Sequence, residues 1–134
     1  MKRTNLPIPN DWLMDWKTFM SFPSVSAQQD KHGGDLTACA KWLAQHLKRI
    51  GLQNVQLLKV PPQYPPVVYG DWLHAGQNAP TVLIYGHYDV QPAEPFAAWQ
   101  SPPFEPMVRG AYKTLHRTIK LYLFINKNYF LLKI

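Results

Sequence analysis

The sequence has little cysteine and no long apolar run. Cys39 is the single cysteine among 134 residues, so no intrachain disulfide can form, which suits a reducing compartment and leads us to expect a cytoplasmic protein. No uncharged apolar segment of about 18 residues occurs, so we predict no membrane span and no membrane partner. The N-terminal residues also lack the apolar core of a signal peptide.

Acidic residues are absent after Glu105, whereas residues 110–134 hold five of the 14 basic residues. Residues 1–109 are nearly balanced, with nine basic and eight acidic side chains, so the net charge of +6 belongs mostly to the C-terminal tail. No basic face with interleaved aromatic residues occurs in residues 1–109. We therefore expect no nucleic-acid partner.

The chain does have a globular composition, 46% hydrophobic and 16% charged, with helical periodicity in two places. The first helix is predicted over 11–20, capped by Asn10 or Asp11. The second is predicted from an N-cap at Asp35 to a stop at Gly51. The apolar face of this second helix is predicted to consist of Leu36, Cys39, Ala40, Leu43, Leu47 and Ile50.

Three segments with strand character follow, over 54–60, 66–75 and 78–86. Gly70 interrupts the second segment and suggests a bulge there. The third segment is nearly continuous in apolar residues, so we predict that it is buried on both faces. Two helices followed by strands with interleaved loops predict an α/β or α+β layer.

The third strand segment ends in Gly86, and His87 and Asp89 follow it. Side chains at positions i and i+2 of a strand face the same side, so these two side chains can lie next to each other. A metal-bound histidine usually donates its other ring N–H to a carboxylate, and α/β proteins place ligands at the C-terminal ends of strands. His87 is therefore a candidate metal ligand and Asp89 its orienting partner. A plain hydrogen-bonded pair is the alternative that these two residues leave open.

The residues around this pair resemble a known family. "GHYDVQP" at 86–92 resembles the first metal motif of the co-catalytic zinc metallopeptidases, the family that contains aminoacylase, carnosinase-type dipeptidases, carboxypeptidase G and succinyl-diaminopimelate desuccinylase. The similarity is greatest to the dipeptidase branch. "WQSPPFEPMVR" at 99–109 continues the pattern, and "FPSVSA" at 22–27 and "WLAQHLKRIGL" at 42–52 fall in the family's order. The resemblance covers about residues 11–109.

This resemblance implies an α/β fold, the first part of a zinc-peptidase-like catalytic domain in which helices pack on a mixed sheet. It implies that His87 binds one of two zinc ions and that Asp89 orients His87. Family members hydrolyse peptide or amide bonds, in substrates such as dipeptides and acyl-amino acids. A water between the two metals attacks the carbonyl while a glutamate acts as general base, and zinc brings the pKa of water to ~7.

The family pattern stops after Arg109. The resemblance implies a bridging aspartate, a catalytic glutamate, further metal ligands and an inserted lid and dimerisation domain, and the residues after Arg109 supply none of them. We therefore expect a truncated chain without activity, with 1–109 as the N-terminal part of the catalytic domain and 110–134 as an aberrant basic, apolar tail. A non-catalytic pseudogene-type fragment or an interaction protein is the alternative.

Other candidate ligands have no metal spacing. Cys39 is expected in the core, Glu94 and Glu105 on the surface, and His32, His46, His74 and His116 in ordinary packed or solvated positions. The tail over 118–134 uses almost only Phe, Ile, Asn, Lys, Tyr and Leu, a restriction that indicates frameshifted or read-through sequence. The segment 119–125 within it is predicted either to add a strand or to promote aggregation.

Overall fold

The structure is a computed structural model that describes residues 9–76, 78–108, 122–125 and 132–133. The N-terminal residues, His116, the boundary at Arg109 and most of the tail therefore lie outside the described residues. The elements in chain order are α1 (Asn10–Ser21), a 3-10 helix (Ser26–Gln28), α2 (Gln29–Arg49), β1 (Gln53–Leu58), β2 (Val67–Asp71), β3 (Val82–Tyr85), a second 3-10 helix (Phe96–Ala98), β4 (Tyr122–Ile125) and β5 (Leu132–Lys133).

The core lies between α2 and its neighbours α1, β1 and β2. The predicted apolar face of α2 is confirmed for Leu36, Cys39, Ala40, Leu43 and Leu47, each buried. Phe19 of α1, Val68 of β2 and Tyr88 complete the buried cluster. Ile50 is an exception: it follows the last residue of α2 and is 55% exposed, so its assignment to the buried face was wrong.

The second helix begins at Gln29 rather than at Asp35, so the predicted N-cap was wrong. Asp35 instead lies inside α2, where its carboxylate accepts a hydrogen bond of 2.8 Å from His32 Nδ1. The 3-10 helix runs directly into the first turn of α2, which carries Asp30 at the favourable end of the helix dipole, and α2 continues through Gly33 and Gly34.

The first helix is confirmed, with Asn10–Ser21 as its bounds. The predicted caps are wrong, because Asn10 and Asp11 lie within the helix and the capping position is Pro9, which offers no side-chain acceptor. Asp11 lies in the first turn, where its charge suits the helix dipole.

The strands β1 and β2 form a two-stranded antiparallel sheet. Their register passes from Gln53↔Asp71 to Gln56↔Tyr69, so the extra residue lies in β1, opposite Gly70. The bulge suggested by Gly70 therefore occurs on the partner strand, where Asn54 has a positive φ of 49°. Gly70 is buried because the side chains of Leu52 and Val55 pack over it.

The third strand lies in a separate sheet of order β4-β3-β5, antiparallel to β4 and parallel to β5. The tail therefore contributes strands. Of the two predictions for 119–125, the added strand is confirmed. The residues of β3 are each partly exposed, so the prediction of full burial was wrong. The reason is that α2 packs on β1 and β2 and not on β3.

The fold class is confirmed as α/β, with two helices, a two-stranded antiparallel sheet and a three-stranded mixed sheet. Within the described ranges, no helix has the length and apolar character that crossing a membrane requires.

Candidate metal site

The candidate site is the segment that follows β3. The strand ends at Tyr85, so His87 and Asp89 lie just after it rather than within it, and the segment still brings the two side chains together. His87 Nδ1 lies 3.0 Å from the backbone carbonyl oxygen of Asp89 and 3.2 Å from its carboxylate Oδ1. Both side chains are partly exposed, at 38% and 37%.

The contacts of His87 assign its tautomer. Both atoms next to Nδ1 are oxygen acceptors, so Nδ1 must carry the hydrogen and donate it. The other ring nitrogen, Nε2, then holds a lone pair. This is the arrangement in which a histidine binds a metal ion while a carboxylate fixes its orientation.

The chain segment after the first helix holds the His87 segment in place. Ser24 Oγ donates a 2.6 Å hydrogen bond to the carbonyl of Tyr88, and the N–H of Val90 donates to the carbonyl of Ser24 at 2.9 Å. Val25 and Val90 form an isolated parallel β-bridge. Ser24 and Val25 are buried, so these contacts with the segment around His87 lie in the interior.

Ser26, the next residue, contacts the site directly. Its hydroxyl donates a 2.6 Å hydrogen bond to Asp89 Oδ2, the carboxylate oxygen that does not face His87. A length of 2.6 Å is typical of a hydroxyl bound to an ionised carboxylate. Sequence reasoning missed Ser26. The available signal was the position of "FPSVSA" in the family's order, but the contact joins residues 63 positions apart.

Tyr88 lies between the two site residues and turns into the core. It is 5% exposed, and its hydroxyl donates a 2.6 Å hydrogen bond to the carbonyl of Pro66. Burial, followed by the nearby Cys39 and Asp89, raises the pKa of the Tyr88 phenol. The phenol therefore stays neutral and remains a donor, which ties the site segment to the loop before β2.

An open cleft of about 570 Å³ lies beside the pair. His87 and Asp89 form part of its wall, together with Ser26 and Gln29. The loop between β1 and β2 and the first residue of β2 add mostly apolar lining residues: Val60, Pro61, Gln63, Tyr64, Pro65 and Val67. The cleft thus combines apolar side chains with the polar pair, as sites for small molecules do.

The described residues do not complete a metal centre. Among them no group of three or more His, Cys, Asp or Glu side chains is placed to hold a metal ion, whereas a catalytic zinc normally takes three protein ligands. Within the described ranges, the site thus offers the His87–Asp89 pair and no set of three ligands.

The other candidate groups have ordinary surroundings, as predicted. Cys39 is fully buried in the core. His32 pairs with Asp35, and His74 lies with its ring edge-on to Trp72. Glu94 and Glu105 are exposed.

His46 is packed against aromatic and charged neighbours. It stacks on Trp42 with ring centroids 5.1 Å apart, and its Nδ1 lies 2.7 Å from an Arg49 nitrogen and 3.5 Å from Asp15 Oδ2. Desolvation lowers the pKa of His46 most, Asp15 opposes this effect, and Arg49 adds to it.

Comparison with known proteins yields relatives that include a metallodipeptidase and a desuccinylase. The chain is 36% identical over 95 residues to the Cys-Gly metallodipeptidase DUG1 of Candida albicans, a match that covers 63% of this chain and 19% of that protein. It is 54% identical over 39 residues to succinyl-diaminopimelate desuccinylase of Aromatoleum aromaticum, covering 29% of this chain and 10% of that protein. No family model matches the chain.

Among solved structures, the dipeptidase Dug1p of Saccharomyces cerevisiae matches with a TM-score of 0.64 and 25% identity. This match covers 74% of the present chain and 22% of that one. The chain thus spans about a fifth or less of the length of the relatives it matches, which is consistent with an N-terminal fragment of the same kind of protein.

Proposed function

Because the chain is a relative of the metallodipeptidases, we propose that it carries the first metal ligand of a metal-dependent hydrolase of peptide or amide bonds. In this proposal His87 binds zinc through Nε2, and Asp89 orients the imidazole. The observation that carries the proposal is the pair of acceptors at His87 Nδ1, 3.0 and 3.2 Å away, which leaves Nε2 as the coordinating nitrogen. The substrates would be dipeptides or acyl-amino acids.

Zinc in such a site supplies an activated water and polarises the substrate carbonyl. The contribution of this chain is to hold the ligand. Asp89 keeps the hydrogen on Nδ1 and orients the ring, while the bonds from Ser24 and Val90 fix the segment that carries both residues. The apolar side chains of the cleft would exclude water from part of a bound substrate.

We also propose that the 134 residues by themselves do not hydrolyse peptides. Residues 1–109 would form the N-terminal part of the catalytic domain, and 110–134 a tail outside the family pattern. Two observations support this: the described residues hold no cluster of three ligands, and the sequence contains no acidic residue after Glu105. A general base and a bridging carboxylate would both have to be acidic side chains.

The test measures zinc binding and hydrolysis with the 134-residue chain. We expect less than one tightly bound zinc per molecule in a chelator competition titration, and no metal-dependent cleavage of dipeptides. Whatever weak binding occurs should fall in His87→Gln and persist in His74→Gln, a matched histidine outside the site. Stoichiometric zinc of nanomolar affinity, or dipeptide turnover that His87→Ala abolishes, would contradict the proposal of inactivity.

A second candidate function is a non-catalytic product, either a pseudogene-type fragment or an interaction protein. The incomplete ligand set within the described ranges favours it. The two candidates differ in the result expected when the remainder of a related dipeptidase is supplied in trans: the first predicts that the chain then gains zinc binding, and the second predicts that it does not. As the cellular location we propose the cytoplasm, because a sequence with one cysteine can form no intrachain disulfide and so suits a reducing compartment.

A further inference from the structure

We propose that Ser26 is a positioning residue for the His87–Asp89 pair, acting through the Asp89 carboxylate. This deepens the proposed function, on which it rests, because it explains what holds the orienting carboxylate in place. The hydroxyl of Ser26 and the imidazole of His87 bind opposite oxygens of the same carboxylate, Oδ2 at 2.6 Å and Oδ1 at 3.2 Å.

Asp89 needs such a partner because its surroundings do not fix it. The side chain is 37% exposed, so without a second contact its carboxylate could turn into water. A charged carboxylate binds a hydroxyl donor strongly, and the 2.6 Å distance lies within the usual range for this type of hydrogen bond. Ser26 therefore selects the one rotation in which Oδ1 faces the ring of His87.

Ser26 is itself held in register with the site. It opens the 3-10 helix Ser26–Gln28, which is closed by the bond from the Gln28 N–H to the carbonyl of Val25. Val25 forms the bridge to Val90, the residue after Asp89. The backbone contacts thus fix the distance between Ser26 and Asp89. The hydrogen bond between their side chains therefore forms with little further loss of conformational entropy.

The histidines of the chain supply an internal reference for a test by tautomer. His32 Nδ1 faces a carboxylate oxygen of Asp35, so its hydrogen lies on Nδ1, as in His87. His46 Nδ1 faces a nitrogen donor of Arg49, so when neutral it must accept there and carry its hydrogen on Nε2. The ¹⁵N shifts of the imidazole rings distinguish these two forms.

The experiment records long-range ¹H–¹⁵N spectra of the metal-free 134-residue chain labelled at histidine, at a fixed pH about two units above the ordinary histidine pKa of about 6.5. The His87 signal is assigned by its loss in His87→Gln. We expect wild-type His87 to be mainly the Nδ1–H tautomer. In Ser26→Ala the ratio of Nδ1–H to Nε2–H should fall roughly three- to tenfold, the range of one ordinary hydrogen bond, since the backbone carbonyl of Asp89 still accepts.

Matched variants separate positioning from packing. Ser26→Thr keeps the hydroxyl and should retain the wild-type ratio. Ser26→Val has the same shape as Ser26→Thr but no hydroxyl, so it should behave like Ser26→Ala. Asp89→Ala should produce the largest change in the tautomer ratio of His87. Adding Ser26→Ala to Asp89→Ala should change that ratio no further, because Ser26 acts only through the Asp89 carboxylate. Ser21→Ala, which removes a hydroxyl bonded to the carbonyl of Thr18 in α1, is the control expected to change nothing.

Three results would overturn the proposal: a wild-type His87 that is mainly Nε2–H, a Ser26→Ala ratio equal to wild type, or Ser26→Val behaving as Ser26→Thr. If Ser26→Ala disturbs the fold, the His32 and His46 signals move as well, and the Thr and Val pair then decides the question. Because no metal is present, these outcomes are independent of whether the zinc and hydrolysis tests of the proposed function succeed.

Discussion

At the scale of single residues, three hydroxyl groups hold the His87–Asp89 segment in place. Ser24, Ser26 and Tyr88 each direct a hydroxyl at a backbone or carboxylate oxygen, at 2.6 Å in all three cases. None of these contacts is visible in the local sequence, since each joins a residue to a partner 22 or more positions away. The pair His87 and Asp89 could be predicted because their spacing is local.

The hydroxyl of Tyr88 should contribute measurably to stability. Tyr88→Phe removes the 2.6 Å bond to the carbonyl of Pro66 and leaves that carbonyl without its buried donor. We expect the free energy of unfolding to fall by about 1 kcal/mol, measured by urea denaturation. Tyr64→Phe is the control, because Tyr64 is 60% exposed and should change stability by less than about 0.5 kcal/mol. Equal effects in the two variants would contradict the assigned bond.

At the scale of elements, two glycines should respond to alanine in opposite ways. A Cβ at Gly33 in α2 meets nothing within 4 Å, so Gly33→Ala should stabilise the protein by about 0.5–1 kcal/mol through helix propensity. A Cβ at Gly70 in β2 would lie 3.2 Å from side-chain carbons of Leu52 and Val55, so Gly70→Ala should destabilise it by about 1–3 kcal/mol.

Urea midpoints of the two glycine variants, measured side by side, check this contrast. Each variant is the control for the other, because the chemical change is the same and only the surroundings differ. A destabilising Gly33→Ala would show that α2 does not run through Gly33 as described, and a neutral Gly70→Ala would show that β1 does not cross it closely.

The elements also show how far sequence reasoning reaches. Both helices and all three early strands were predictable, because periodicity and Gly or Pro breaks are local signals. The start of α2 was not, since Asp35 is a residue type favoured at an N-cap and glycine is unfavourable inside a helix, whereas α2 runs through Gly33, Gly34 and Asp35. The bulge was placed on the wrong strand because Gly70 signals a close approach, and the sequence does not say which strand gains the residue.

At the scale of the whole molecule, one cluster joins α1 to the C-terminal end of α2. Asp15 of α1 accepts a hydrogen bond from Arg49, which also donates to Nδ1 of His46, and His46 stacks on Trp42. Trp42 in turn contacts Phe19 of α1 through stacked rings 6.0 Å apart. The neutral form of His46 is the one that can accept from Arg49 while lying on the indole.

The pH dependence of global stability should report this cluster. Desolvation lowers the pKa of folded His46 below its ordinary value of 6.5, so between these two pKa values the unfolded chain binds more protons than the folded one. The stability from neutral His46 is therefore fully present above about pH 6.5 and is lost as pH falls through the lower, folded pKa. Measured by urea denaturation between about pH 7.5 and 5, the free energy of unfolding of the wild type should fall more steeply than that of His46→Gln, which keeps an acceptor for Arg49 but does not titrate.

The control is Gln45→Ala, at an exposed position next to His46 on α2, which should retain the wild-type slope. Parallel curves for wild type and His46→Gln would mean that His46 does not couple protonation to the packing of α1 on α2.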